Sequence, residues 1–227
     1  MSINLTSLFL KDGDHHSFAT QKELANLLKA VCVENGPWAL PARNNGRQAT
    51  HRERFCLRYF LKVNLEKFVF PIEITKSERP DFLIRDGEGV TLGVEHTDAG
   101  PEAYQRWLSL SEENNDLAFY PNRHGKATDP GRGGGQMYRE ARADIMGSWI
   151  RKTNSINKQG YQKASSYILI SHLRSSAPLF LESDFNEVMS ALPDYKCLSS
   201  YTRFNTEHPK SFDKVLVILG DDAQFWD

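Results

Sequence analysis

The chain has 227 residues, a formal net charge of −1, 40% hydrophobic residues and 25% charged residues. That suits a globular protein long enough to bury one sizeable core, and a single domain is expected. No apolar run approaches the ~18 residues of a transmembrane helix, and Met1–Leu10 lacks the basic start and apolar centre of a secretory signal. Cys32, Cys56 and Cys197 are odd in number and far apart, which gives no zinc spacing and fits a reducing compartment; a cytoplasmic location and no membrane partner are expected.

From the N-terminus, His15-His16 suggests a turn. Thr20-Gln21-Lys22-Glu23 is a capping box that opens a helix with Leu24, Leu27, Leu28 and Val31 on one face, stopped by Asn35-Gly36-Pro37. Thr50-His51-Arg52-Glu53 is a second capping box, leading a helix that buries Phe55, Cys56, Tyr59, Phe60 and Val63. A strand is predicted over Phe68–Thr75. Two short apolar runs follow, Phe82–Ile84 and Val90–Val94, joined by Asp86-Gly87-Glu88-Gly89, the pattern of a β-hairpin. Its register follows from parity. Phe82, Ile84, Val90, Leu92 and Val94 all have even numbers and share a face only if paired positions sum to an even number. A loop of Gly87, Glu88 and Gly89 does this, pairing Asp86 with Val90, Ile84 with Leu92 and Phe82 with Val94. It also brings Asp81 opposite Glu95, with Cβ atoms about 5 Å apart. Two carboxylates that close repel each other unless a cation lies between them, and oxygen ligands suit Mg²⁺ or Mn²⁺. The His96 carbonyl is a candidate further ligand, and Gly93 on the same face leaves room for a substrate backbone.

Beyond Thr97 a helix is expected to about Asn114, then a loop over 115–135 that includes Gly131-Arg132-Gly133-Gly134-Gly135. The loop is read as a flap-like insertion, about 98–135 with the helix. The glycine run is no P-loop, because no Gly-Lys-Ser/Thr follows it. A long helix is predicted from Gln136 to about Gln159, with Tyr138, Ile145, Met146, Trp149, Ile150 and Ile156 on its buried side. A strand over Ser165–Leu173, a helix from Ser183 to Leu192 capped by Ser183, and a strand over Lys214–Leu219 complete the chain. Apolar strands alternating with helices imply a covered, partly parallel sheet. Between Pro121 and Lys163 nine Lys/Arg face three acids, an excess that suits a phosphate-bearing partner, although a solvated helix face explains it as well.

Pro80-Asp81, a strand, a turn, and a second strand ending in Glu95-His96-Thr97 resemble the PD-(D/E)XK nuclease superfamily, whose restriction endonuclease-like fold places Pro-Asp on one strand and Asp/Glu-X-Lys on the next. The resemblance covers about residues 50–173 as a nuclease-like core. Residues 1–49 are then an N-terminal helical region and 174–227 a C-terminal α/β extension. It implies an α/β fold with a mixed central sheet flanked by helices, and Asp81 and Glu95 holding magnesium. The helix before the first strand often supplies another acid in this group, for which Glu53 is the better placed candidate and Glu23 the second. Both are also explained as capping residues. Thr97 stands where the lysine belongs, which puts catalysis in question more than fold. Thr97 is able to hydrogen-bond a metal-bound water, and Lys152 or Lys158 of the long helix are the candidates to replace the lysine, Lys152 being preferred. The function implied is a metal-dependent nuclease acting on nucleic acid, with DNA favoured over RNA, alone, as a homodimer or within a larger complex. The alternatives are an inactive nuclease-fold subunit that binds nucleic acid or protein, and a hydrolase of small phosphates.

Overall fold

The computed structural model describes residues 8–30, 36–41, 46–100, 134–157, 160–173, 182–193, 211–219 and 222–226. The predicted helix to Asn114, the flap, Lys158 and Val31 lie outside the described residues. The elements are β1 (His15–Phe18), α1 (Gln21–Lys29), α2 (Ala49–Asn64), β2 (Ile72–Lys76), β3 (Phe82–Arg85), β4 (Thr91–Ala99), α3 (Gly134–Ile156), β5 (Ser166–Leu173), α4 (Glu182–Ser190), β6 (Lys214–Leu219) and β7 (Asp222–Trp226). The fold is α/β, a seven-stranded mixed sheet in the order β1-β2-β3-β4-β5-β6-β7 flanked by helices. The chain divides into two compact units. The first holds Met1–His96, Lys158–Ile170 and Ser211–Lys214; the second holds Thr97–Asn157, Ser171–Lys210 and Val215–Asp227.

In the first unit β1 to β4 form an antiparallel meander. The register of β3 with β4 is the one that parity predicts, with Phe82 opposite Val94 and Ile84 opposite Leu92. The loop closes as expected: the Asp86 N–H donates to Val90 O at 3.0 Å and the Gly89 N–H to Asp86 O at 3.0 Å. Asp86 Oδ1 accepts from the Glu88 and Val90 N–H groups at 3.0 and 2.8 Å, the local side-chain bonding that fits Asp to turns. Gly89 has φ +80°, a left-handed value that a side chain would resist. Phe82, Ile84 and Val94 are buried, but Val90 is 40% exposed. It sits at the loop end, past the reach of the core.

Several expectations for this unit need correction. His15-His16 begins a strand and not a turn, with His15 opposite Thr75 and His16 opposite Ile74. The strand expected from Phe68 starts at Ile72. Helix α1 keeps its capping box, with Glu23 Oε2 accepting from Ala19 N–H at 2.7 Å, but it ends at Lys29. Helix α2 starts one residue before Thr50, and Gln48 is its N-cap. His51 Nδ1 accepts the Gln48 N–H at 3.0 Å, so His51 and not Glu53 occupies the capping position. Its buried face runs through Cys56, Leu57, Tyr59, Phe60 and Leu61, while Val63 is 38% exposed.

In the second unit α3 buries Ala141, Ile145, Ser148, Trp149, Thr153 and Ile156, an i, i+4, i+7, i+8 stripe. Ile145, Trp149 and Ile156 were expected there; Tyr138, Met146 and Ile150 are half-buried. Ser148 Oγ and Ser171 Oγ lie 2.9 Å apart, which satisfies two buried hydroxyls at once. Helix α4 begins at Glu182, so Ser183 lies inside it and does not cap it. Strand β6 matches its predicted bounds, and β7, which no apolar run announces, pairs with it antiparallel. No helix among the described residues is long and apolar enough to cross a membrane.

Candidate functional site

Asp81 precedes β3 by one residue, at the point where β4 runs on beyond its partner strand. The paired register ends with Phe82 opposite Val94, one residue short of Asp81 and Glu95. The Asp81 carboxylate lies against the β4 backbone, where Oδ2 accepts the His96 N–H at 2.7 Å. Ser77 closes the turn before it: its hydroxyl donates to Pro80 O and its N–H donates to Asp81 O at 2.9 Å. Asp81 and Glu95 are 8% and 4% exposed. Burial first, then the Glu95 and Glu53 charges, push the Asp81 carboxyl up to about 7, against the pull of the His96 hydrogen bond. Glu53 on α2 therefore belongs to the same electrostatic cluster, and with His51 holding the cap its carboxylate is released for it. Glu23, engaged at its own cap, is not part of this group.

Sequence reasoning missed two members of the site. Lys76 ends β2 opposite Phe82, only 3% exposed, with Nζ 3.2 Å from Glu53 Oε2, 3.5 Å from Asp12 Oδ1 and hydrogen-bonded to Ser77 O. Its ammonium also sits 5.3 Å from the centre of the Phe82 ring. A signal for it existed, because Ile72, Ile74 and Lys76 share parity, and a lysine in phase with buried isoleucines is a buried lysine. The second is Tyr161, whose hydroxyl donates to Glu95; burial and the Glu95 and Asp81 charges push the phenol well above its usual range. No spacing rule links Tyr161 to Glu95. Tyr161 arrives there because the Gln162 N–H donates to Arg79 O at 2.8 Å and its ring stands edge-on to Tyr167, centres 6.4 Å apart. Removing this donor with Tyr161→Phe should cost about 1–2 kcal/mol, since a buried carboxylate loses a hydrogen bond. Chemical denaturation reads it, and an unchanged midpoint refutes the bond.

Gly93 does not open the site to a substrate backbone. A Cβ there would lie 2.7 and 2.9 Å from Tyr167 ring carbons and 3.0 Å from Pro80 Cγ, so protein already fills the space. Gly93→Ala should destabilise by about 1–3 kcal/mol, seen as a fall in melting temperature.

The His96 ring turns towards α2, with a ring nitrogen within 4.8 Å of Cys56 Sγ. Thr97 and Lys152 fall in the second unit. The Thr97 hydroxyl donates to Asp98 O at 3.5 Å, and Lys152 is half-buried on α3.

Glu53, Asp81 and Glu95 act on one another electrostatically, and the Lys76 ammonium offsets part of that charge. Glu53 Oε2 is buried and accepts no hydrogen bond, its approach to Lys76 being an ion pair without hydrogen-bond alignment. Asp81 keeps one oxygen on a backbone N–H, which orients the other. No family profile, curated protein or solved structure matches the chain.

Proposed function

We propose that the chain is a metal-dependent phosphodiesterase with a restriction endonuclease-like core, acting on nucleic acid and on DNA in preference to RNA. The observation that carries this reading is that Glu95 of β4 and Glu53 of α2 both act on the buried Asp81 carboxyl just before β3. Asp81 and Glu95 would hold Mg²⁺ or Mn²⁺, with Glu53 as third acid and the His96 carbonyl as a candidate ligand. A cation held there supplies a water of lowered pKa and offsets charge growing on the scissile phosphate. The chain's own part is orientation. The His96 N–H fixes Asp81, the Tyr161 hydroxyl fixes Glu95, and Lys76 fixes Glu53. Asp81 must be ionised to hold the cation, so binding of Mg²⁺ to the metal-free protein is expected to strengthen as pH rises through about 7, with the cation displacing the proton. Lys76 is a candidate for the positive charge that Thr97 does not provide.

One observation favours the second reading, an inactive subunit. The Lys76 ammonium already neutralises Glu53 without any metal, as a purely structural ion pair would. The test is incubation of the purified chain with plasmid, linear DNA and RNA, in Mg²⁺, Mn²⁺ and EDTA. Cutting that EDTA abolishes supports the enzyme. Salt-sensitive binding without cutting supports the binding subunit.

A further inference from the structure

We infer that Arg79 grips a substrate phosphate beside the acids, the substrate being the sugar–phosphate backbone of a polynucleotide; this rests on the hydrolytic reading of Glu53, Asp81 and Glu95. Arg79 stands two residues before Asp81, and its carbonyl accepts the Gln162 N–H at 2.8 Å, so its main chain is held on the turn that delivers Tyr161. The side chain is 52% exposed, and its one ion pair among the described residues is to Glu78, 3.9 Å away and 79% exposed. Such a pair contributes little and gives way readily to a competing anion. The guanidinium crosses the Gly160 backbone, where an added Cβ would be 3.5 Å from Nη1 and 3.8 Å from Cδ. Next in the chain, the Tyr161 hydroxyl bonds Glu95 while its phenol feels the Arg79 charge, so the Arg79 side chain beside Gly160 acts on the residue that holds Glu95.

The electrostatics require such a residue. Three carboxylates repel an approaching phosphodiester, and a cation held among them would offset that repulsion only at the phosphate it meets. Lys76 is committed to Glu53, Asp12 and Ser77 and is 3% exposed, so any charge it lends acts at the acids and does not reach the neighbouring phosphates in solvent. Arg79 does, and its planar fork of N–H donors matches two phosphate oxygens at once.

The experiment titrates a short labelled DNA duplex into the full chain in Ca²⁺, and again in EDTA, over a series of salt concentrations. Arg79→Gln should weaken binding about tenfold and lower the slope of log K against log salt by about one unit, at unchanged melting temperature. Arg79→Lys should keep the slope and lose part of the affinity, since the charge stays and the fork is gone. An unchanged slope in Arg79→Gln, or no salt-dependent binding by the unaltered chain, overturns the assignment. The hydrolytic reading fails separately: the unaltered chain then cuts nothing in Mg²⁺ or Mn²⁺, while the Arg79 effect on the slope persists.

Discussion

Asp81→Asn should abolish metal-dependent cutting and, at the same time, make the metal-free protein more stable at pH 8. The two effects have one cause. Asp81 carries an ordinary carboxyl in the unfolded chain, near 3.8, and one pushed up to about 7 in the folded protein. The folded state thus holds its proton more tightly. Stability from the protonated group is fully present below about 4, declines as pH rises, and is gone above about 7. Asparagine fixes the neutral form. At pH 8 the variant should gain on the order of 1–3 kcal/mol, less than the full shift implies, because a neutral amide oxygen accepts the His96 N–H more weakly than a carboxylate. At pH 4 the gain should vanish or reverse. Activity moves the other way: loss of a charged ligand should lower the cutting rate a hundredfold or more. Added Mg²⁺ should raise the melting temperature of the unaltered chain but not of the variant. A variant less stable at pH 8 would show that Asp81 serves the turn and not a cation.

How much of this was legible depends on how local each cause is. The hairpin was readable because alternation and loop length together leave one register, and Asp86, Gly87 and Gly89 are local turn chemistry. The pairing expected of Asp81 with Glu95 lies one step beyond that register, and what ties Asp81 to β4 is the His96 N–H. The cap of α2 was misjudged because Gln48–His51 and Thr50–Glu53 offer the same backbone two overlapping starts. Only the tertiary environment decides between them, since Glu53 is drawn to Lys76, a residue 23 positions away. Strand β1 has four residues, two of them histidine, too few to show a period. Tyr161 reaches Glu95 through a contact between distant segments that leaves no trace in spacing.

The site also sets two acids apart that sequence patterns treat alike. Glu23 and Glu53 each follow a Ser/Thr/Asn/Asp-type cap signal by three residues. Glu23 spends both of its bonds on Ala19 and Thr20 N–H groups at its own helix start. Glu53 makes no cap bond and points its charge into a region that holds Asp81 and Glu95. The distinction is energetic. A cap bond stabilises a helix by about 1 kcal/mol, whereas a carboxylate placed beside two others costs stability unless a cation compensates. The chain keeps Glu53 there with Lys76 as the compensating charge.

Lys76→Met should therefore lower stability by about 2–4 kcal/mol, the second large effect. Methionine matches the length and apolar stem of lysine and preserves contact with Phe82, so packing changes little. What goes is the ammonium 3.2 Å from Glu53. Breaking such a pair by removing one partner leaves an uncompensated charge in a low-dielectric place, a loss of roughly 3–5 kcal/mol when burial is complete. Glu53 is 17% exposed, and water reaching it reduces the figure. The double variant Lys76→Met with Glu53→Gln should recover most of the loss, because no charge remains unpaired. Metal then separates the two readings of the cluster. If Lys76 and a divalent cation neutralise the same acids, Lys76→Met should bind Mg²⁺ more tightly than the unaltered chain and be stabilised more by it, while cutting at least about tenfold more slowly for want of a cation near the reacting phosphate. The double variant should regain stability and stay slow. Recovery of stability with no response to Mg²⁺ in either protein would make Lys76 and Glu53 a structural ion pair, and the acids of this site would then have no cation to hold.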